Sequence, residues 1–327
     1  MNTGKNNLLH FFIKKAKSII KKLPPVQYAR ERKLLSGSSI LMLHRCEEYD
    51  TTKLLPNEIL KISPQYLEQF IQKAAKTHSF LSLDDLSKPL AEKPFIVFTF
   101  DDGYKDNLKK ALPIFEKYGV PFTVYVTTCF PDYTANLWWF VLDDIISANS
   151  VIKTSDGVVW DCGTKQRKID VYMALREIIL KFPAEDFENK FAEYFSDYKI
   201  NLKEKTKELA LSWDEVKQLA DSPLCTIGAH TINHVNLAEM SDDAAYQEIL
   251  QSKQQLEEKT GKQVSHFAFP FGTANEVTER EYRLAQKAGF KTAVVSYVSD
   301  GSNINNLSNE TLYKIPRKML VDVYHEF

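Results

Sequence analysis

Short apolar segments alternate with helical patterns along most of this 327-residue chain. Such alternation is typical of parallel sheets and βα barrels, in which a helix carries the chain back to the start of the next strand. Gly119, Gly261 and Gly289 follow three of the helical patterns, where glycine commonly ends a helix. We therefore predict an α/β fold, a distorted (β/α) barrel of about seven parallel strands. The predicted strands are 39–43, 95–100, 120–127, 224–229, 264–269 and 291–296, and the predicted helices are 64–76, 105–118, 242–260 and 276–288.

A long insertion interrupts this alternation between residues 128 and 211. The stretch is too long for an ordinary connection, so we expect it to carry helices of its own. Ser212 and Glu215 then have the spacing of a capping box, which predicts that a helix restarts the barrel there. The predicted domains are an N-terminal basic helix and linker over 1–35 and a barrel over 36–327, with the insertion at about 129–211 over the barrel mouth.

The N-terminal segment is basic and amphipathic. Residues 1–24 contain six lysines and no acidic residue, and apolar residues such as Leu8, Phe12 and Ile19 recur at helical spacing. This pattern predicts an amphipathic helix that contacts a membrane surface through residues 5–23. The alternative is a helix that packs on the barrel or binds a partner. No run approaches the ~20 apolar residues of a spanning helix, and lysines interrupt the apolar region that a signal peptide requires.

The overall charge and the cysteine content of the chain indicate which partners and which cellular compartment to expect. The chain has 42 Lys and Arg residues against 43 Asp and Glu residues, so charge gives no reason to expect nucleic acid as a partner. The four cysteines lie far apart without paired spacing, which favours reduced thiols. We predict a cytoplasmic protein, peripheral on the inner face of the cytoplasmic membrane where its N-terminal helix makes contact.

Two adjacent carboxylates, Asp101 and Asp102, end the apolar run 95–100 and precede Gly103. Like charges this close raise one pKa unless a cation or hydrogen-bond donors intervene. A solvated turn is one interpretation of the pair. The other is that one carboxylate binds a metal ion while its neighbour acts as a base.

Two histidines, His230 and His234, follow another predicted strand with i, i+4 spacing. One helical turn would place them on the same face, although an isolated pair could equally be surface or core histidines. The loops at the carboxyl ends of barrel strands converge on one mouth, which would bring the histidines to the aspartates. One Asp and two His with open positions match a catalytic zinc site rather than a closed structural one.

Residues 99–103 and 230–234 match two motifs of the polysaccharide deacetylases (NodB homology, carbohydrate esterase family 4) residue for residue. The chain resembles this family over roughly residues 38–317. The resemblance implies a general-base role for Asp101 and a divalent metal, Zn²⁺ first with Co²⁺ or Ni²⁺ as alternatives. It implies Asp102, His230 and His234 as metal ligands. It also implies that Pro270, Phe271 and Gly272, which follow a third predicted strand, belong to the groove wall.

The chain departs from the family pattern at Ala268, where an arginine that orients the base is expected. Arg317 and Arg45 are the candidate substitutes, and the alternative is that each is an ordinary surface or structural arginine. A late histidine that acts as general acid is also expected, but the C-terminal region offers only His325, next to a terminus. His44 follows the first predicted strand and resembles the acid of circularly permuted bacterial members. A structural histidine is the alternative there.

The resemblance implies hydrolysis of an N-acetyl group from an amino sugar. The expected contact with a membrane then suggests a lipid-linked or nucleotide-linked amino sugar that is a precursor of a cell-surface polysaccharide or glycolipid. A backbone N–H near Tyr104 would stabilise the oxyanion, and His44 would protonate the leaving amine. Trp138 and Trp139 either stack on sugar rings or anchor the core of the insertion. The alternative functions are a deformylase of a lipid-linked formamido sugar and a non-catalytic carbohydrate-binding barrel.

Overall fold

The computed structural model of the protein describes residues 31–88, 93–183, 186–297, 304–305, 307–308 and 311–322. The predicted N-terminal helix over 5–23 and His325 lie outside these residues. The described residues contain no helix that could span a membrane.

The described strands and helices follow the predicted alternation, with boundaries that differ by a few residues. The strands are β1 Ser39–Leu43, β2 Arg45–Cys46, β3 Lys61–Ile62, β4 Ser79–Phe80, β5 Phe95–Phe100, β6 Phe122–Val126, β7 Val151–Lys153, β8 Val159–Asp161, β9 Cys225–Ala229, β10 His266–Ala268, β11 Thr292–Val295, β12 Ile315–Pro316 and β13 Lys318–Met319. The helices are α1 Leu55–Glu58, α2 Pro64–Ala74, α3 Leu112–Tyr118, α4 Trp138–Ala148, α5 Lys165–Ile179, α6 Phe187–Tyr194, α7 Leu202–Leu209, α8 Trp213–Asp221, α9 Asp242–Thr260 and α10 Glu279–Lys287. A π-helical segment, Asn107–Ala111, precedes α3, and short 3₁₀ turns cover Asp84–Ser87, Leu237–Glu239 and Thr311–Tyr313.

The main sheet is parallel, with the strand order β12-β11-β10-β9-β6-β5-β1-β13, and β4 pairs with the start of β5. Its two end strands, β12 and β13, are separated in sequence only by Arg317. The same stretch of chain therefore pairs with β11 through Ile315 and Pro316 and with β1 through Lys318 and Met319. This double pairing brings the two edges of the sheet together, and the predicted distorted barrel of about seven strands is confirmed.

The central strands are buried on both faces, as expected when helices cover the outside of a barrel. Outward-facing residues pack against the helices, where Phe115 of α3 stacks on Phe122 with ring centroids 4.3 Å apart. A separate cluster that includes Tyr125, Ala268 and Val294 forms the packed core on the other side of the strands. Tyr125 lies so close to Gly228 that a Cβ there would be 2.3 Å from its ring, so the neighbouring strand requires glycine.

Helix ends follow the sequence signals closely. Ser212 and Glu215 form the predicted capping box at the start of α8. Gly119 and Gly261 adopt left-handed backbone conformations at the ends of α3 and α9. The start of α8 and the ends of α3 and α9 therefore lie where the sequence signals predicted them.

The region between β6 and α8 contains α4 to α7 and the antiparallel β7–β8 hairpin, and it has a core of its own. Asp143 in this core accepts hydrogen bonds from the Leu54 backbone N–H at 3.1 Å and from Asn57 Nδ2 at 2.8 Å. The returning chain joins the barrel at Leu211, whose N–H donates to the Gly103 carbonyl oxygen at 3.0 Å. The end of this region thus lies beside the predicted catalytic aspartates.

Candidate active site

Asp101 follows β5 and is clamped by Arg317. The arginine Nη1 and Nη2 atoms donate to the two carboxylate oxygens at 2.7 Å each, and both side chains are almost fully buried. Arg317 is itself fixed, because Nη1 also donates to Thr99 Oγ1 at 3.0 Å and Nε donates to the Val295 carbonyl oxygen at 3.3 Å. This fork geometry orients the Asp101 carboxylate and leaves lone pairs on both oxygens for other partners.

Asp102, His230 and His234 meet beside this pair. Asp102 Oδ1 lies 3.5 Å from His230 Nε2 and 3.3 Å from His234 Nε2, and one ligand atom from each residue lies within 4.8 Å of the others. The barrel brings them together as the sequence predicted, since Asp102 follows β5 and His230 follows β9.

The chemistry of these three residues fits a metal ion. His230 Nδ1 lies 2.8 Å from the Ala268 carbonyl oxygen and would donate to it, which leaves Nε2 with a free lone pair toward Asp102. Asp102 Oδ1 is buried and has no hydrogen-bond partner among the described residues. A buried carboxylate oxygen facing two imidazole nitrogens is an unfavourable arrangement for the protein alone, and a divalent cation would satisfy it.

The histidine segment is not the helical turn that the i, i+4 spacing suggested. It is a loop, with Thr231 at φ 63° and His234 at φ 52°, and the expectation of a helical turn is wrong. Asp102 at φ 75° and Phe271 at φ 61° are also left-handed, and Tyr133 is the only other non-glycine residue with positive φ in the described chain. Left-handed backbone is costly for such residues, and its concentration at one place is typical of functional sites.

Electrostatics keep both aspartates ionised. Burial alone would raise their pKa values, but Arg317 holds the pKa of Asp101 below its ordinary value. In the same way, His230 and His234 hold the pKa of Asp102 well below its ordinary value. Burial opposes a proton on His234, yet Asp102 raises the pKa of that imidazole. The site therefore holds two carboxylates in the form that a base and a metal ligand require.

His44 follows β1 and belongs to the same cluster of charges. Burial lowers the pKa of its imidazole, while the charges of Asp102 and Asp101 act in the opposite direction. Asn107 Nδ2 donates to the His44 carbonyl oxygen at 3.0 Å, which ties this residue to the start of the π-helical segment. The structure thus places His44 near the predicted base, at the same mouth of the barrel.

Arg45, the second candidate for orienting the base, points elsewhere. Its Nε donates to Asp106 Oδ2 at 2.8 Å, and its guanidinium lies over the rings of Tyr104 and Phe140. The structure therefore brings Arg317 and not Arg45 to Asp101. Asp106, which also accepts from the Cys46 N–H at 2.9 Å, was not singled out from the sequence, where it has no distinguishing signal.

A family model described as polysaccharide deacetylase matches residues 88–293, more than half of the chain. The chain belongs to the polysaccharide deacetylase family. The resemblance inferred from the two motifs is confirmed, and the protein is a hydrolase of the type that acts on amide bonds of acetylated sugars. The permuted order of motifs stays a prediction. No curated protein matches this chain.

Solved structures similar to this deacetylase-family chain include the following three. Streptococcus pyogenes deacetylase PplD in complex with acetate is 18% identical and has a TM-score of 0.56, with 87% of this chain and 92% of that chain covered. IcaB from Ammonifex degensii is 15% identical, with a TM-score of 0.54 and coverage of 87% and 92%. A de-N-acetylase from Aggregatibacter actinomycetemcomitans is 15% identical, with a TM-score of 0.53 and coverage of 89% and 97%. At these identities the likeness concerns the fold.

Of the predicted groove residues in this deacetylase-family site, Phe271 is the exposed one. Its side chain is 41% exposed, and its ring lies 5.1 Å from that of His234. Gly272 allows the sharp turn beneath it, because a Cβ there would be 2.9 Å from the Ser296 backbone nitrogen. Pro270 accepts the Gly272 N–H within this turn. Phe271 is thus presented to solvent beside a predicted metal ligand.

The other aromatic candidates are less open. Tyr104 is buried, with its ring packed against Phe130 at 5.4 Å and Phe140 at 6.1 Å. Trp138 and Trp139 are partly buried and pack edge to face, 5.8 Å apart, against the core of the insertion. The packing of the two tryptophans agrees with the anchoring interpretation of these residues.

Proposed function

We propose that the protein hydrolyses the N-acetyl group of an amino sugar in a cell-surface polysaccharide or glycolipid precursor, with a divalent cation held by Asp102, His230 and His234. The observation that carries the proposal is the position of the Asp101–Arg317 ion pair next to the cluster of Asp102, His230 and His234. An ionised carboxylate, Asp101, is held in place by Arg317 directly beside a cluster that would bind a metal.

Zinc is the first candidate for the ion, because two imidazoles and one carboxylate with open positions are its usual ligands at catalytic sites. When bound, such an ion supplies Lewis-acid polarisation of the acyl carbonyl and makes a bound water more acidic. The residues that hold it are buried at the barrel mouth, apart from a His234 side chain that is 31% exposed. Substrate would reach the site from the His234 side.

Asp101 is the general base in this proposal. Arg317 occupies one lone pair on each carboxylate oxygen, so a second lone pair remains to accept a proton from the attacking water. Because Arg317 keeps the pKa of Asp101 low, the base is present in its ionised form at neutral pH. His44 is proposed as the donor of a proton to the leaving amine, and the backbone N–H of Tyr104 as a donor to the developing oxyanion.

The substrate is proposed to be a lipid-linked or nucleotide-linked amino sugar made inside the cell, and the lipid-linked form would be reached at the membrane surface through residues 5–23. The likeness to a deacetylase solved with acetate agrees with acetate as the product. A deformylase would use the same residues. The absence of the family arginine at Ala268 would favour a non-catalytic barrel, but Arg317 supplies a guanidinium to Asp101, which argues for retained catalysis.

The test is a measurement of acetate and formate release by the zinc-loaded protein from N-acetylated glycans and lipid-linked sugar extracts. Asp101→Asn is the matched control, since it preserves size and the ligand set but removes the base. Acetate release that disappears in the variant supports the proposal. Formate release instead would indicate the deformylase, and sugar binding without any release would indicate the non-catalytic barrel.

A further inference from the structure

Backbone and hydroxyl hydrogen bonds from the end of β6 and the residues after it hold one side of the loop that carries His230 and His234. Val126 and Thr127, at the end of β6, bond the His230 backbone, since the His230 N–H donates to the Val126 carbonyl at 3.1 Å and Thr127 Oγ1 donates to the His230 carbonyl at 3.0 Å. The following residues, Thr128 and Cys129, donate their N–H groups to the carbonyls of Thr231 and Ile232 at 3.2 and 2.9 Å. This side of the loop therefore rests on the barrel.

The opposite side of the loop is held by one carboxylate of helix α9. Glu248 Oε2 accepts the backbone N–H groups of Ile232 and Asn233 at 3.0 Å each, and Oε1 accepts Asn233 Nδ2 at 2.7 Å. The Glu248 side chain is buried, so these bonds are shielded from water. Successive backbone N–H groups that converge on one anion form a concave site of the type that favours negative charge.

This arrangement matters because two residues of the loop, Thr231 and His234, have left-handed backbone conformations. Backbone held in such a conformation persists only where its surroundings impose it. Within the loop, the His234 N–H donates to Thr231 Oγ1 at 3.0 Å, which is a local contact and anchors nothing outside the loop. Glu248 is the contact from outside the barrel wall that fixes residues 232 and 233, directly before the second histidine.

We propose that Glu248 is a positioning residue of the metal site, which holds the 230–234 loop so that His234 Nε2 faces Asp102. The inference rests on the proposed metal-dependent function. Groups that orient metal ligands from a second layer typically contribute 10-fold to 100-fold to metal affinity. Loss of Glu248 would leave the N–H groups of Ile232 and Asn233 without an acceptor and allow the loop to leave its left-handed conformation.

The experiment measures zinc dissociation constants by competition with a chromophoric chelator. Glu248→Ala should bind zinc at least about 10-fold more weakly than the native protein. Glu248→Gln keeps one oxygen that can accept both backbone N–H groups, so its loss of affinity should be smaller. The d–d spectrum of bound Co²⁺ should also change in Glu248→Ala, because the ligand geometry is altered.

Glu257 provides the matched control on the same helix. Its carboxylate accepts the Val264 N–H at 3.0 Å. This hydrogen bond resembles those of Glu248, but the loop that it holds carries no predicted metal ligand. Glu257→Ala should lower the resistance of the metal-free protein to urea, as Glu248→Ala does, but it should leave the zinc affinity within twofold of native. Should Glu248→Ala fail to fold, the zinc affinities of Glu248→Gln and Glu257→Ala are compared instead. Weaker zinc binding by Glu248→Gln than by Glu257→Ala would support the positioning role.

The outcomes separate this inference from the proposed function. Native protein that binds zinc while both Glu248 variants match it in affinity overturns the positioning role and leaves the function standing. Equal weakening in Glu248→Ala and Glu257→Ala would show a general effect on stability and would also overturn it. Native protein that binds no zinc would overturn the metal-dependent function and this inference together.

Discussion

Arg317 donates two parallel hydrogen bonds of 2.7 Å to Asp101, although the residues are 216 positions apart in sequence. Arg317 is the single residue between β12 and β13, where the chain passes from pairing with β11 to pairing with β1. The residue that closes the barrel therefore also orients the predicted base. An arginine was expected at Ala268, and the guanidinium arrives instead from the closing strand.

Replacement of Arg317 should impair catalysis more than substrate binding. Arg317→Lys retains a charge but cannot form the two-pronged contact, so we expect kcat to fall about 100-fold with little change in KM. Arg317→Ala leaves the buried Asp101 carboxylate unpaired, which should also cost about 3–5 kcal/mol of unfolding free energy. Steady-state kinetics on an acetylated oligosaccharide and urea unfolding would measure the two effects. A native kcat in Arg317→Lys would show that orientation of Asp101 is not needed.

Asp101 and Asp102 should respond differently to substitution, although they are neighbours. Asp102→Ala removes a proposed ligand, so zinc and activity should be lost together. Asp101→Asn leaves all three ligands in place, so zinc should stay bound while turnover falls by about 100-fold or more. Metal content by elemental analysis, beside acetate release, distinguishes the two cases. Stoichiometric zinc in Asp102→Ala would remove that residue from the ligand set.

The barrel and the two candidate aspartates could be predicted because their signals are local. A buried strand ending in two carboxylates and a pair of histidines can be recognised without knowing the fold. The choice between Arg317 and Arg45 could not be made, because it depends on which strand closes the barrel. Glu248 gave no signal either, since a glutamate in a helix usually faces solvent and its burial depends on the loop packed against it.

The pH dependence of the reaction should reveal whether His44 is the proton donor. Burial lowers the pKa of His44 from its ordinary value of about 6.5. As the pH rises, the imidazole therefore loses the proton that it would donate before the pH reaches 6.5. We therefore expect kcat/KM to decline as pH rises through a pKa on the acidic side of 6.5. In His44→Ala this decline should be absent and the remaining rate should be low. An unchanged profile in the variant would assign the proton donor elsewhere.

Trp138 should contribute to stability rather than to sugar binding. Its ring lies 5.8 Å from Trp139 and 6.5 Å from Phe187 of α6, and it packs against the core of the insertion. Because Trp138 is partly exposed, Trp138→Ala should lower the unfolding free energy by about 2 kcal/mol, less than the 3–5 kcal/mol typical of a fully buried tryptophan. KM should stay within twofold of native.

Phe271→Ala is the contrasting change, since Phe271 is the exposed aromatic beside His234. Removal of an exposed ring should cost little stability, whereas KM should rise several-fold, because a sugar ring that stacks on Phe271 would lose that contact. Urea unfolding and steady-state kinetics on the same acetylated oligosaccharide measure both variants side by side. A raised KM with native stability in Trp138→Ala, together with a native KM in Phe271→Ala, would reverse the two assignments and place the sugar against the insertion. The two substitutions therefore test whether the sugar lies beside His234, where Phe271 is exposed, or against the insertion that contains Trp138.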